Sequence, residues 1–341
     1  MSFKRLDQED IVISADSVTA PAWSGDSVTL STFHTNNSQT NGDSGKYYYN
    51  VYDKAVSDTT AAIQFSVAYG HLKGSGSKAI NSSVTGVSPS SVIYKQYRNL
   101  INGTEETNIS FGGTEVNSIY VLAIERARFK EKLLPGSLTL SLTSGSNSLV
   151  LTDDSNYVST TTFSDVGRIY NLVSGSQGTR FVGTGTDGTY GYSKYSGSYG
   201  LLLPDAGLIV LNGDALDQPV ANGGIVFNTT TSTSVDKLNL NRIFGAISSS
   251  ANFKMRSEET ISSNYIFVRA RNSEFNYSTN PSNITGSGEL RHSVMIDSPQ
   301  AYITAVGLYN DNNDLLGVAK LSRPLLKDFT KEALVRIKLD Y

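Results

Sequence analysis

The chain has 341 residues, enough to bury roughly 75% of its unfolded surface in one large domain or two ordinary ones. Only 17% of residues are charged and the net charge is −3, so the sequence has no basic footprint for nucleic acid. Cysteine is absent, which excludes disulfide frameworks, zinc–thiolate centres and thiol nucleophiles, and no apolar run is long enough for a membrane-spanning helix.

The opening "MSFKRLDQEDIVISADS" has no apolar core, so no signal peptide is expected there. Residues 1–45, with the polar run "HTNNSQTNGDSG", read as an N-terminal arm. Next comes "KYYYNVYDK", followed by "AAIQFSVAYGHL", where Ile63, Phe65, Val67 and Tyr69 recur at the strand period. The Gly-rich "AYGHLKGSGSKAI" invites a phosphate-loop reading. However, Ser77 separates Gly76 from Lys78, so a plain loop is expected. "SVIYKQYRNLI" places Ile93, Tyr97, Leu100 and Ile101 on one helical face, with Ser90 or Ser91 as a possible cap.

In residues 117–154, Ile119, Val121 and Ala123 begin a strand. Ala127 and Phe129 extend its parity, with Arg126, Arg128 and Lys130 on the opposite face. Pro135-Gly136 forms a turn, and Leu138, Leu140 and Leu142 alternate beyond it. The centre, with "YGYSKYSGSYG" (190–200), is rich in Gly and Tyr. Tyr offers contact area at low entropic cost, so this stretch is a candidate binding loop. Residues 46–228 read as one β domain.

The clearest helix follows a Thr/Ser run. Leu240, Ile243, Phe244 and Ile247 form an apolar stripe, capped by Ser234 or Asp236. With the strands after it, this helix makes a second domain, 229–341. The strand "NYIFVRA" runs into "RNSEFNYSTNPSN", with an end expected near Phe275 and a turn at Asn280-Pro281. A hairpin turns at Asp311–Asp314. A last strand places Val335, Ile337, Leu339 and Tyr341 on one face, and Arg336 and Lys338 on the other. The fold class is therefore mainly β: sandwich-like β domains with one or two short helices and long polar loops.

Catalytic constellations are sparse. His34, His71 and His292 lie in unrelated contexts, and no G-x-S-x-G or H-E-x-x-H motif occurs. Asp153-Asp154 and Asp311–Asp314 lack the alternating ligand loop that calcium requires and read as turns. The expectation is a non-enzyme with no cofactor, no metal and no small-molecule substrate. Its candidate residues are interface residues: Arg126, Arg128, Lys130, Arg271, Glu274, Tyr277, Arg336 and Lys338.

Several segments carry a resemblance in combination: "YYYNVYD", "IYVLAIERARFKEKLLPGSLTLSL", "YGLLLPDAGLIVLN", "RNSEFNYSTNPS" and the stretch from "YITAVGLYNDNND" to the final "IKLDY". Together they resemble virion structural proteins of large contractile-tailed bacteriophages, notably those of marine and cyanobacterial hosts. The resemblance covers most of residues 46–341. It implies a tail or baseplate subunit, assembled in the host cytoplasm into the virion, whose partners are other virion proteins and copies of itself. It implies neither nucleic-acid binding nor membrane insertion. Two other functions carry their own requirements: a glycan-binding adhesin needs an exposed aromatic groove, and a polysaccharide depolymerase needs paired carboxylates in a cleft.

Overall fold

The structure, a computed structural model, describes residues 4–36, 48–76, 89–105, 107–181, 199–229 and 236–340. It is mainly β with few short helices, the class expected from the sequence. The chain divides into two compact units: Val18–Glu259, and Met1–Ser17 together with Thr260–Tyr341. Composition placed boundaries at 45/46 and 228/229 instead. The difference arises because residues 22–30 and the 236–250 helix both enter the core of the larger unit.

The larger unit is organised around a long antiparallel sheet. In spatial order its strands are Thr29–Leu30, Phe253–Lys254, Thr139–Ser144, Asn147–Asp153, Gly167–Ser176, Gly200–Leu203, Leu208–Asn212, Ser118–Ile124, Ile63–His71, Tyr48–Tyr52 and His34–Thr35. Ser118–Ile124 is covered on both faces, which explains its unbroken apolar run. Tyr120, Leu122 and Ile124 join Phe65, Val67, Ile209 and Leu211 in the main core. Ile119 and Val121 join Tyr94, Leu203 and Val210 in a second core on the other face.

The helix Ser90–Asn102 contributes Tyr94 to that second core. The Tyr94 hydroxyl donates to Val116 O at 2.7 Å, so the buried phenol is satisfied. Gly70 permits the helix to approach, since a Cβ there would lie 2.8 Å from Tyr94 N. Pro89, rather than Ser90 or Ser91, occupies the N-cap, and no side chain caps the helix. Gly103 closes it at φ 66°.

The helix Asp236–Ser250 buries Leu240, Ile243 and Ile247 of the expected stripe, with Phe244 partly buried and Ala246 buried beside them. Ser234 and the run before it lie outside the described residues, as do most of "YGYSKYSGSYG" and the last four residues of "AYGHLKGSGSKAI". Residues 4–36 do not form a free arm. Trp23 is buried, its indole N–H donates to Phe253 O at 2.9 Å, and its ring lies edge-on to Phe253 at 4.7 Å. Residues 37–45 of the expected arm lie outside the described residues.

The smaller unit has two layers. Arg256–Ala270 pairs with Ala333–Asp340 in an antiparallel register that sets Tyr265 opposite Lys338 and Phe267 opposite Arg336. The hairpin of Gln300–Tyr309 and Leu315–Asp328 forms a separate two-stranded sheet. Val306, Leu308, Ala319 and Leu321 on one face of the hairpin pack against Ile266, Val335 and Ile337. Its turn uses the Asn/Asp chemistry read from the sequence. The Asn310 side-chain oxygen accepts from Asn312 N and Asp314 N, and Asn313 takes φ 66°.

Asp153 and Asp154 also organise turns. Asp153 Oδ1 accepts from Gly136 N at 2.7 Å and from the Ser155 backbone and hydroxyl, fastening the Pro135-Gly136 turn to the sheet. Asp153 Oδ2 is buried without a partner, and burial pushes the carboxyl above its ordinary value of 3.8. A raised carboxyl pKa means the fold prefers the neutral acid. Its contribution is favourable below the ordinary value and is lost as pH rises through the folded value. In denaturant titrations from about pH 4 to about pH 8, Asp153→Asn should therefore lose less stability with rising pH than the parent. Parallel pH profiles for the two proteins would contradict this assignment.

Candidate functional site

Arg126, Arg128 and Lys130 do not form the expected stripe on a strand face. The strand stops at Ile124, and Arg126–Arg128 make a 3₁₀ turn that rotates the chain so that Phe129 is buried. The Arg126 guanidinium lies 4.7 Å from the centre of the Phe129 ring and donates to Phe129 O. Arg128 Nε is buried without a partner. Lys130 pairs with Glu259 at 2.9 Å, and the buried Lys132 lies 3.5 Å from Glu258. These contacts hold Lys132–Leu133 against the strand carrying Ser257 and Glu258. The charges alternate in sequence, but two of them are spent on neighbouring glutamates, so the reading of a charged docking stripe weakens here.

The remaining candidates belong to the smaller unit. One face of its sheet carries Tyr265, Phe267 and Arg269 beside Lys338, Arg336 and Leu334. The Arg336 guanidinium lies 5.6 Å from the Tyr265 ring and Lys338 Nζ lies 5.8 Å from it. Hydrogen bonding by Asp340 raises the Lys338 pKa. Arg269 pairs with Glu332 at 2.7 Å. Arg336 is exposed, and Leu334 is 64% exposed on the same face. The result is an outward surface of aromatic and cationic side chains, the composition enriched in protein interfaces.

The stretch 271–283 is not a strand extension. The strand ends at Ala270, and Phe275 adopts φ 55°, which strand pairing does not allow. Glu274 accepts from Arg271 N at 2.8 Å and from Lys4 at 3.1 Å, and these contacts hold its carboxyl below the ordinary range. The centre of the loop is Lys327, which is fully buried. Its Nζ donates to Asn276 Oδ1 at 2.6 Å, to Asp328 O at 2.9 Å and to Asn272 O at 3.1 Å. The Asn276 amide donates back to Asn272 O at 2.7 Å. Tyr277, next in the chain, is 52% exposed. The sequence reading singled out this loop but missed Lys327. The only available signal was a lysine following two leucines in "PLLKD".

The hairpin places several large apolar side chains outward. Cross-strand neighbours Tyr309 and Leu315 are exposed, as are Leu316, Val318 and Tyr302. His34 and His292 are exposed, and His71 is buried with Nδ1 accepting from Lys73 N. Among the described residues, no group of three or more His, Asp or Glu side chains is placed to hold a metal.

Comparison with protein-family models, curated proteins and solved structures found no match.

The Lys327 network generates a stability prediction. Lys327→Met keeps much of the side-chain volume but leaves Asn276 Oδ1 buried without its donor, while Asn272 O still accepts from the Asn276 amide and Asp328 O from Lys331 N. It should lower stability by roughly 1–3 kcal/mol in denaturant unfolding, the cost of one buried acceptor left unmet. A loss below about 0.5 kcal/mol would show that the network does not hold the loop.

Proposed function

We propose that this protein is a structural subunit of a tailed-phage virion, in the tail or baseplate, acting by binding other virion proteins and copies of itself. The observation that carries this reading is the outer face of the 300–328 hairpin. A two-stranded sheet that packs one apolar face inward has no internal reason to keep a second one outward. Yet Leu316 is 69% exposed, Tyr302 64% and Val318 62%. Leu316 and Val318, two apart on one strand and next to the exposed Leu315, form an exposed apolar group of the kind that marks sites of association. The opposite layer adds Tyr265, Arg336 and Lys338, and the ordered 271–283 loop adds Tyr277. The resemblance of five sequence segments to contractile-tail virion proteins supplies the biological setting. On this reading the protein assembles in the host cytoplasm and works by burying area rather than by turnover.

Incorporation into particles tests the proposal. Val318→Glu places a charge on the exposed face, so stability should stay within about 0.5 kcal/mol of the parent. Its incorporation should fall at least about tenfold in complementation followed by particle sedimentation. Tyr277→Ala should likewise weaken assembly more than stability. A parent protein that never co-sediments with particles would overturn the proposal, as would both variants assembling normally.

A further inference from the structure

Within the larger unit, a half-open cleft of about 430 Å³ lies between the end of the Ser90–Asn102 helix and the short strand Thr162–Ser164. This volume falls in the range of small-molecule sites, roughly 300–1,000 Å³. Its apolar floor is Ile101, Ile169 and Leu201. Phe163 also lines it, with 70% of its surface exposed. A phenyl ring left in water beside a polar-rimmed cleft is a platform without an occupant inside the protein.

The polar rim has a definite hydrogen-bonding sense. The Asn102 amide already donates to Thr107 O, Thr107 Oγ1 and Asn108 O. The Asn171 amide already donates to Asp154 Oδ2. Both asparagines therefore retain acceptor oxygens for a ligand, with the Asn102 donors engaged and one of the two Asn171 donors used on Asp154. Asp165 adds a carboxylate. It sits so close to Gly103, at the helix C-terminus, that a Cβ on Gly103 would lie 2.9 Å from Asp165 Oδ2. The negative end of a helix repels a carboxylate, so this group gains from any donor brought to it. An acceptor-rich rim beside an exposed aromatic face suits a ligand with many hydroxyl donors, an apolar C–H face and no negative charge.

We propose that this cleft binds a neutral pyranose sugar, with its C–H face against Phe163 and its hydroxyls donating to Asp165, Asn102 and Asn171. The site lies beyond the assembly reading and does not depend on it. A free sugar and a sugar unit of a surface polysaccharide present the same chemistry, and the experiment separates them.

The test is saturation-transfer NMR and calorimetry on the full chain. The probes are glucose, galactose, N-acetylglucosamine and glucuronate, and neutral oligosaccharides of the first three, all in EDTA. At least one neutral hexose should bind with millimolar affinity, and glucuronate should bind more weakly. Tighter binding of the oligomers would identify a polysaccharide unit, and equal affinity a free sugar. Phe163→Ala should weaken binding at least about tenfold with an unchanged melting temperature. Asp165→Ala should weaken it by a similar factor, again with an unchanged melting temperature. The proposal is overturned if no neutral sugar binds, if binding needs calcium, or if glucuronate binds best. It is equally overturned if Phe163→Ala keeps the sugar.

Discussion

The buried ammonium of Lys327 is the constraint on which the smaller unit depends. A lysine taken wholly out of water is costly unless all of its donors are met, and here three oxygens meet them. Two of those oxygens belong to Asn272 and Asn276, in a loop with no secondary structure, and the lysine belongs to the hairpin. One side chain therefore converts a polar loop into an ordered element and fixes the base of the hairpin. The loop then positions Glu274, which in turn holds Lys4. On the proposed assembly reading, ordering this surface beforehand would reduce the entropy lost on docking.

The two units manage their apolar area differently. In the larger one, a strand buried on both faces supports two separate cores, and its buried tyrosines Tyr94 and Tyr199 donate to carbonyls. The smaller unit has a single thin core of three buried residues and the side chains packed on them. A thin sandwich has two outer faces for one interior, so its strands carry apolar residues outward that a thicker domain would enclose. Pro324 within the hairpin strand fits the same picture, because a proline is tolerated only where the ladder is open.

Much of the fold was legible in the sequence because it rests on period. The strand over 63–69, the alternation at Leu138–Leu142, the 236–250 stripe and the 300–328 hairpin all follow from side-chain spacing and turn chemistry. The failures have physical causes. At Arg126–Arg128 a period of two was read as a strand, but burial of Phe129 and the glutamates at 258 and 259 favoured a turn. Residues 22–30 read as arm because local polarity hides the long-range contact of Trp23 with Phe253. The Lys327 network was invisible because its partners are about fifty residues away in sequence. Among the candidate residues, Arg336, Lys338 and Tyr277 do lie on exposed surface, whereas Arg126 is engaged with Phe129 and Glu274 with Lys4 and Arg271.

The central claim is that the hairpin is an ordered surface awaiting a partner. Amide hydrogen exchange over residues 300–328, compared between the purified protein and the assembled particle, tests it most directly. The outward-facing amides of a two-stranded sheet have no ladder partner, so they should exchange quickly in the free protein. They should become protected in the particle, while the amides paired across the hairpin stay protected in both. Identical exchange in the two states would contradict the account.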